Sequence, residues 1–499
     1  MKSNFKNSLY GSVGFILPLV ITLITTPYII KKLTPEVYGL YILAISLMGL
    51  LSFLDLGFGQ GIIKFISEYE AKNDRKAIQD VIGISFFVYL IMGIIGSVII
   101  FLSTDYLVEL FKVEDKYKEL AKQAFYIASF GFFLNFITNV FSPIPNALQR
   151  YDIAAKVQVS IYLVLNLLII ILLYSGYGLK EVMIANIALA IIKLVVYFSL
   201  YRWLLPDIPF KPYFKVDVFK KIFSFSFFTA VNSITGNIVY RLDKMIISSF
   251  LGTSAVTYYT LPFMIIQACQ GLIASANNFL FPASSGLASL GQNEKLANLY
   301  KKVFAYVVAV SIIITTGAIV LLEEFISLWI GQDFARNTKD IIPILAITFF
   351  FHFISIPAFY IYNGLGFSLI NMVSSIVGAS AYLVSALLFI PLFGLIGAAL
   401  SFAFTLIPFP FYFYYFHKIV DVDYTFLYRL LFKSLLSIIL VNVLIALIKY
   451  IFNLDISMVS FIIIFVISVL LSLIIIFLNK ILLPSEVVIL LKRAKGDLI

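Results

Sequence analysis

Residues 457–477 read SMVSFIIIFVISVLLSLIIIF, an apolar run without a single charged side chain. An α-helix rises about 1.5 Å per residue, so a helix of this length crosses the roughly 30 Å hydrocarbon core of a bilayer. The run is continuously apolar rather than alternating, which disfavours the strand of a β-barrel. The segment therefore predicts a transmembrane helix.

Comparable apolar segments fill most of the chain, which has 499 residues, 62% of them hydrophobic and 12% charged. An average soluble domain carries about 25% charged residues, so this composition excludes a water-soluble globular protein. The predicted spans are residues 9–30, 37–59, 81–103, 120–141, 157–174, 182–204, 222–250, 255–279, 303–322, 341–362, 369–390, 391–416, 426–450 and 457–477. We predict an all-α integral membrane protein with about fourteen transmembrane helices. A count of thirteen stays open, because the eleventh and twelfth spans adjoin.

The orientation follows from the basic residues between the spans. Lys2 and Lys6 precede the first span, but no cleavage site for a signal peptide follows it, so the first span is predicted to be retained. With the amino terminus inside, most of the 36 Lys and Arg residues face the cytoplasm, as the positive-inside rule requires. Lys31 and Lys32 in an outer loop run against this bias. We predict a multi-pass protein of the cell membrane with both termini cytoplasmic.

Short matches between the two halves of the chain indicate a duplication. NAL at 146–148 matches NGL at 363–365, and YLV at 162–164 recurs at 382–384 at nearly the same offset. We predict two pseudosymmetric six-helix bundles with a central cavity between them, the architecture of a secondary transporter that works by alternating access. The predicted domains are an N-terminal lobe (1–204), a cytoplasmic linker with an interfacial amphipathic helix (205–221), a C-terminal lobe (222–418), and two further spans with a cytoplasmic tail (419–499).

Three basic residues fall inside predicted spans: Lys193, Arg241 and Lys244. A charge at mid-bilayer costs about 2.5–3.5 kcal/mol on insertion scales, so such residues normally face protein or a water-filled cavity. At 100° per residue, the polar residues of the seventh span share one face. They are Ser226, Thr229, Ser233, Asn237, Arg241, Lys244 and Ser248. In the sixth span, Asn186 lies on one face with Lys193. The predicted substrate-binding residues are Arg241, Lys244, Lys193, Asn237, Ser233 and Asn186.

A cavity lined by cations suits an anionic substrate, since Arg and Lys bind phosphate oxygens. The alternative is a structural role, with the cations paired to Asp243. Two carboxylates in the spans, Asp243 and Asp55, are candidates for coupling transport to protons or sodium ions. Asp55 equally fits a turn or a helix cap.

Other functional classes find little support in the residues. One cysteine, Cys269, and two distant histidines, His352 and His417, predict neither a disulfide nor a metal site. The sequence carries no Walker A motif and no dinucleotide-binding motif, so we predict no cofactor. We attribute the net charge of +10 to basic loops on the cytoplasmic side of the membrane and not to nucleic-acid binding. The motif DVD at 421–423 is assigned to a polar turn and not to a glycosyltransferase.

Several stretches resemble the flippases of O-antigen and capsular polysaccharides. They are LTPEVYGLY at 33–41, LDLGFGQG at 54–61, FISEYEAKND at 65–74, ALQRYD at 147–152 and YNGL at 362–365. The likeness extends over nearly the whole chain, but Thr34 stands where that family usually has glycine. The family is related to the multidrug exporters known as MATE transporters and to the lipid II flippase.

The resemblance implies transport of a polyprenyl-pyrophosphate-linked oligosaccharide from the cytoplasmic to the outer leaflet, without enzymatic activity. The expected partners are this substrate, membrane lipids, and a polysaccharide polymerase or glycosyltransferases. Two alternatives are a cation-coupled multidrug exporter and, less well supported, a membrane polysaccharide polymerase. The sequence does not identify the glycan or the coupling ion.

Overall fold

The computed structural model describes residues 2–55, 57–452 and 457–481, with side chains described except at 2–16, 225, 227–234 and 236–238. Over these residues all regular structure is helical. Contacts within the chain divide it into two compact units, Met1–Thr257 and Tyr258–Ile499. The first unit contains every residue proposed above for substrate binding or ion coupling.

Ten α-helices of the described chain lie in the first unit or begin in it, and the last of them, α10, passes into the second unit. They are α1 (Lys2–Leu50), α2 (Phe58–Ala71), α3 (Arg75–Leu110), α4 (Lys118–Phe141), α5 (Ile144–Ala147), α6 (Tyr151–Tyr174), α7 (Leu179–Leu204), α8 (Val216–Asn237), α9 (Asp243–Leu251) and α10 (Thr253–Asn277). Two 3₁₀ turns, Leu51–Asp55 and Asp115–Tyr117, and one π-helical turn, Ile238–Leu242, connect them.

The remaining helices of the described chain belong to the second unit. They are α11 (Leu280–Ser289), α12 (Asn293–Trp329), α13 (Gln332–Thr338), α14 (Ile341–Gly364), α15 (Ser368–Ala403), α16 (Phe409–Val420), α17 (Tyr424–Phe452) and α18 (Met458–Leu478). Each unit has its own apolar core, rich in buried aromatic rings.

Eleven helical segments of the described chain are long and apolar enough to cross a membrane, judged by length and composition. One of them, Ser368–Val420, contains two predicted spans, and another, Leu17–Asp55, covers most of the first two. The predicted seventh span lies in α8 and α9. Each of the fourteen predicted spans therefore overlaps described helices, and the prediction of an all-α integral membrane protein is confirmed. The bounds of the four predicted domains and the pseudosymmetry stay predictions.

The helix α1 reverses direction near Thr34. The side chains of Thr26 and Tyr38 are hydrogen-bonded, although residues this far apart in a straight helix are separated by about 18 Å. Thr34 has φ 69° and ψ 158°, a region that only glycine occupies readily. Pro35 follows, and a proline disfavours the α conformation at the residue before it. The first and second predicted spans are therefore the two limbs of α1.

We expect Thr34→Gly to stabilise the protein by about 1 kcal/mol, because the strained backbone of a β-branched residue is relieved. The measurement is the melting temperature of the purified protein in detergent. Thr34→Ala is the control, since alanine keeps the Cβ atom and should give no comparable gain. A melting temperature lower for Thr34→Gly than for the parent would contradict the assigned strain.

A second reversal answers whether the eleventh and twelfth spans are separate crossings. Gly394, inside α15, has φ 59° and ψ −134°, a conformation that side chains other than hydrogen disfavour. The Ser385 hydroxyl lies 3.4 Å from the carbonyl oxygen of Ser401, and the rings of Phe389 and Phe404 are 5.2 Å apart. The chain therefore doubles back at Gly394, and the two predicted spans form antiparallel limbs.

The segment between α7 and α8 is held against α3. Leu205 and Ile208 are buried, and Lys215 forms an ion pair with Asp80, with 2.8 Å between Nζ and Oδ2. The hydrogen bond to Asp80 raises the pKa of Lys215 above its usual value. Because this segment is fixed, α8 begins beside α2. Residues 216–221 are the first turns of α8, which continues to Asn237.

The contact between α2 and α8 is close at Gly61. A Cβ atom at this position would lie 2.7 Å from the side chains of both Ile222 and Ser226. The glycine therefore lets the two helices approach each other, and Ile222 is almost completely buried in the core of the first unit.

Candidate functional site

The cations of the seventh span lie around a π-helical turn. This turn, Ile238–Leu242, contains Arg241, and Lys244 lies in the first turn of α9. A π turn holds one residue more than an α turn, and such turns are often found at functional sites. Side chains beyond it are therefore rotated from the positions that uniform 100° steps assign. The polar residues from Ser226 to Ser248 were predicted to share one helix face. The π turn interrupts the helical register between those before it and those after it.

Lys244 and Asp243 form a buried ion pair. The Lys244 Nζ atom lies 3.1 Å from Oδ1 and 3.0 Å from Oδ2 of Asp243, and it also donates to the carbonyl oxygen of Tyr240 at 2.8 Å. The Asp243 side chain is 1% exposed and that of Lys244 is 12% exposed. The pair is compact because the two residues are adjacent in sequence.

The pair changes the local charge balance. The positive charge of Lys244 is compensated by the carboxylate it contacts, so the formal charge left over in this cluster is that of Arg241. Removing one partner of a buried ion pair leaves an uncompensated charge, which is strongly destabilising. Asp243 therefore makes the burial of Lys244 possible.

The guanidinium group of Arg241 lies directly on α1. A Cβ atom added to Gly49 would overlap the Nη1, Cζ and Nε atoms of Arg241. Any side chain larger than hydrogen at this position would therefore displace the guanidinium. Gly49 thus defines where the charge is held, a role that no sequence motif indicates.

Asn186 belongs to a separate polar group at the contact of α1 with α7. Its side chain is hydrogen-bonded to the Tyr41 hydroxyl, and its amide nitrogen donates to the carbonyl oxygen of Val182 at 2.9 Å. The rings of Tyr41 and Tyr38 lie 6.0 Å apart. The second limb of α1 therefore places the Tyr41 hydroxyl on one predicted site residue, with the Tyr38 ring beside that of Tyr41.

The same polar group continues between the first limb of α1 and α6. The hydroxyls of Thr22 and Tyr162 are 2.5 Å apart, and Thr25 donates to Oδ1 of Asn166 at 3.0 Å. Neither threonine nor either α6 residue was predicted as a site residue. Their spacing offers a signal, because Tyr162 and Asn166 are four residues apart and share a helix face.

The second limb of α1 connects the polar group with the cation. Tyr41 and Gly49 are separated by about 12 Å along the helix axis at 1.5 Å per residue. The second limb of α1 therefore contacts the polar group through Tyr41 and the Arg241 guanidinium through Gly49, at two positions along its axis.

Lys193 is half-buried on α7, on the same helix face as Asn186 and Tyr197. At 1.5 Å per residue it lies about 10 Å along the axis from Asn186. Within the part of the chain that the structure describes, no hydrogen bond or ion pair of Lys193 is present.

Asp55 lies at the turn between α1 and α2. Its carboxylate accepts hydrogen bonds from the backbone N–H groups of Gly57 and Gly59 and from the hydroxyl of Tyr89. Gly59 is the second residue of α2, and its backbone N–H is one of those that have no partner within the helix. Tyr89 is completely buried, so the carboxylate faces protein on that side.

Two predicted site residues, Ser233 and Asn237, have side chains outside the described part of the structure. Of the six predicted substrate-binding residues, the described ones fall into three places: Arg241 with Lys244, Asn186 with Tyr41, and Lys193 alone. The described residues contain no group of three His, Cys, Asp or Glu side chains able to hold a metal ion.

Comparison with known proteins gives a family match and a distant relative. A family model described as "Polysaccharide biosynthesis protein" matches residues 5–288. A protein of Shigella flexneri described as "Putative O-antigen transporter" is 22% identical over 407 residues, which cover 81% of this chain and 95% of that protein.

Two solved structures share the fold. One is an inward-facing multidrug resistance MATE family transporter of the MOP superfamily, with a TM-score of 0.71, 15% identity, and coverage of 82% of this chain and 98% of that chain. The other is the lipid II flippase MurJ in an inward closed conformation, with a TM-score of 0.70, 16% identity, and coverage of 95% and 97%.

Proposed function

Because the chain belongs to the family of polysaccharide biosynthesis proteins, we propose that it is a flippase for a polyprenyl-pyrophosphate-linked oligosaccharide. The substrate would move from the cytoplasmic to the outer leaflet by alternating access through a cationic cavity. The protein is a membrane transporter and not an enzyme. The observation that carries the proposal is Arg241, a guanidinium within a predicted span and held against α1 at Gly49.

The pyrophosphate would be recognised mainly by Arg241. A guanidinium presents several N–H donors in a planar fork that matches phosphate oxygens. Lys244 would contribute while paired with Asp243, whose carboxylate keeps the lysine from repelling Arg241. Lys193 would be a second contact for the anion, on α7. Ser233 and Asn237, which precede Arg241 on α8, would add neutral hydrogen bonds.

The sugars would be recognised by uncharged groups. The polar group around Asn186, Tyr41 and Tyr162 offers hydroxyl and amide functions beside aromatic rings. Sugar hydroxyls both donate and accept hydrogen bonds, and so do these side chains. This supports placing the oligosaccharide toward Asn186 and the pyrophosphate toward Arg241.

The membrane potential would assist outward movement. With the inside negative, each negative charge moved outward gains about 2.3 kcal/mol per 100 mV. Coupling to protons or sodium ions through Asp243 or Asp55 is the second part of the proposal. Asp243 already pairs with Lys244, so a proton or cation arriving there would compete with the lysine. A cationic drug would meet the same competition, which makes a multidrug exporter the weaker candidate.

We also propose that the protein lies in the cell membrane with both termini in the cytoplasm. The basic residues near α2 and α8 support this orientation, since loops on the cytoplasmic side carry the excess of Lys and Arg. The oligosaccharide would be assembled by glycosyltransferases on the same side. In a Cys269→Ala background, an impermeant maleimide should label Lys116→Cys in intact cells and leave Lys76→Cys unlabelled. The reverse pattern would refute this orientation.

Depletion of the protein from its host cells tests the proposed function. We expect the lipid-linked oligosaccharide to accumulate at full length in the cytoplasmic leaflet, while the polysaccharide at the surface falls by at least about tenfold, because translocation and not synthesis is lost. A copy of the parent gene supplied in trans is the control. Normal surface polysaccharide, or a precursor that is no longer made, would contradict the proposal.

A further inference from the structure

Three lysines surround one glutamate where α2 meets α8. Lys72 forms an ion pair with Glu68, with 2.6 Å between Nζ and Oε1. Lys221 and Lys64 lie close enough to influence the same carboxylate. The positive surroundings hold the pKa of Glu68 below its usual value, the hydrogen bond from Lys72 being the largest cause. Three ammonium groups therefore converge on one carboxylate.

Two aromatic rings, those of Phe65 and Tyr69, contact the lysine cluster. Lys221 Nζ lies 5.2 Å from the ring centre of Phe65 and 5.1 Å from that of Tyr69, and it donates to the Tyr69 hydroxyl at 2.7 Å. Lys64 Nζ lies 5.0 Å from the same Phe65 ring. Cation–π contacts hold the two ammonium groups beside one ring, so their positions are set in advance of any ligand.

Three neighbouring carboxylates are engaged elsewhere. Glu70 pairs with Arg75 at 2.5 Å, and Asp80 pairs with Lys215. Asp74 accepts from the backbone N–H of Ala77 at the start of α3. These three carboxylates therefore contact groups outside the lysine cluster.

The position of the cluster indicates which kind of anion would bind there. Lys221 directly precedes the predicted span 222–250, and Lys64 follows the end of the predicted span 37–59. In the predicted topology both boundaries lie on the same side of the membrane, which would place the cluster at the depth of lipid headgroups. Lys64, Lys72 and Lys221 are exposed, whereas Phe65 is buried beneath them. A phosphate attached to a membrane lipid therefore reaches the cluster without leaving the bilayer.

We propose that Lys64, Lys72 and Lys221 form a binding site for the phosphate of a membrane lipid. Two sources share this chemistry: an anionic phospholipid, and the pyrophosphate of the lipid-linked substrate. In the second case the site would capture the substrate before it reaches Arg241, and only that case rests on the proposed function.

Lipid titration of the full-length protein, followed by native mass spectrometry, tests the site. The probes are phosphatidylglycerol, a polyprenyl pyrophosphate, and the zwitterionic phosphatidylcholine as the reference without net charge. A lysine near a headgroup contributes about 1 kcal/mol, so we expect Lys64→Gln or Lys221→Gln to weaken phosphate binding about fivefold. The double variant should weaken it about 30-fold. Lys64→Arg with Lys221→Arg should retain binding, and Tyr69→Phe should reduce it only slightly.

The matched control is Lys76→Gln with Lys156→Gln, two exposed lysines of the same unit outside the cluster. Weaker phosphate binding in Lys64→Gln with Lys221→Gln, but not in this control, supports the site. Loss for the polyprenyl pyrophosphate alone assigns it to the substrate, and loss for both probes assigns it to lipid phosphates in general. Equal loss in the control, or no loss in the double variant, overturns the proposal. If binding is lost as expected but depletion leaves surface polysaccharide normal, the site stands and the proposed function fails.

Discussion

Replacing Asp243 by Asn is expected to destabilise the protein by about 3–5 kcal/mol, because it leaves the ammonium group of Lys244 buried without its counterion. The carboxylate is 1% exposed and holds Lys244 Nζ through both oxygens. The measurement is the melting temperature in detergent, together with the yield of folded protein from membranes.

Two further variants separate the ion pair from other effects of Asp243. Lys244→Gln alone leaves the carboxylate without its lysine and should also destabilise. The double variant Asp243→Asn with Lys244→Gln removes both charges and should recover most of the stability, since a buried pair replaced as a whole is often close to neutral. Equal stability of Asp243→Asn and the parent would contradict the assigned pairing. So would additive losses in the double variant.

Replacing Arg241 by Gln is expected to reduce transport at least about tenfold, because charge-assisted hydrogen bonds to the pyrophosphate are lost. The variant keeps a polar, hydrogen-bonding side chain, although a shorter one, so the fold should survive. The measurement is surface polysaccharide in depleted cells that express the variant, normalised to the amount of folded protein.

Gly49→Val tests independently whether transport depends on the position of the Arg241 charge. The valine side chain would occupy the space of the Arg241 guanidinium, so the charge would be displaced without being removed. We expect transport to fall although every ionisable group is retained. Arg241→Lys keeps the charge but not the planar donors and should fall between the parent and Arg241→Gln. Normal transport in Arg241→Gln would refute the assigned role.

The helices could be predicted because the bilayer imposes a simple requirement. In hydrocarbon every backbone polar group must be satisfied within the chain, so each apolar run of sufficient length becomes a helix. The reversals were harder to foresee. Thr34 adopts a conformation suited to glycine, and only the family resemblance marks this position as unusual. Gly394 carries a clearer signal, because it follows Pro391 within an apolar stretch.

The site was predicted less completely than the fold. Hydropathy alone singled out Arg241 and Lys244 as charges inside a span, and the alternative of a pairing with Asp243 was already open. A uniform helical wheel could not anticipate the π turn at Ile238–Leu242, because the extra residue depends on packing rather than on local sequence. For the same reason the wheel could not reveal that the guanidinium lies on Gly49.

The polar group around Tyr41 escaped prediction for a different reason. Thr22, Thr25, Tyr162 and Asn166 are uncharged, so none of them lowers the hydropathy of its span enough to be noticed. Their significance arises from contacts between α1 and α6, which are far apart in sequence. Asn186 was predicted only because it shares a helix face with Lys193.

The central claim is that this protein itself carries a pyrophosphate-linked glycolipid across the bilayer. The direct measurement is transbilayer movement of a fluorescent polyprenyl-pyrophosphate oligosaccharide in liposomes containing the purified protein, followed by quenching from the outer face. We predict that the parent protein exposes the inner-leaflet lipid to the quencher well above the rate of empty liposomes, and that Arg241→Gln does not. A parent rate equal to that of empty liposomes would contradict the account.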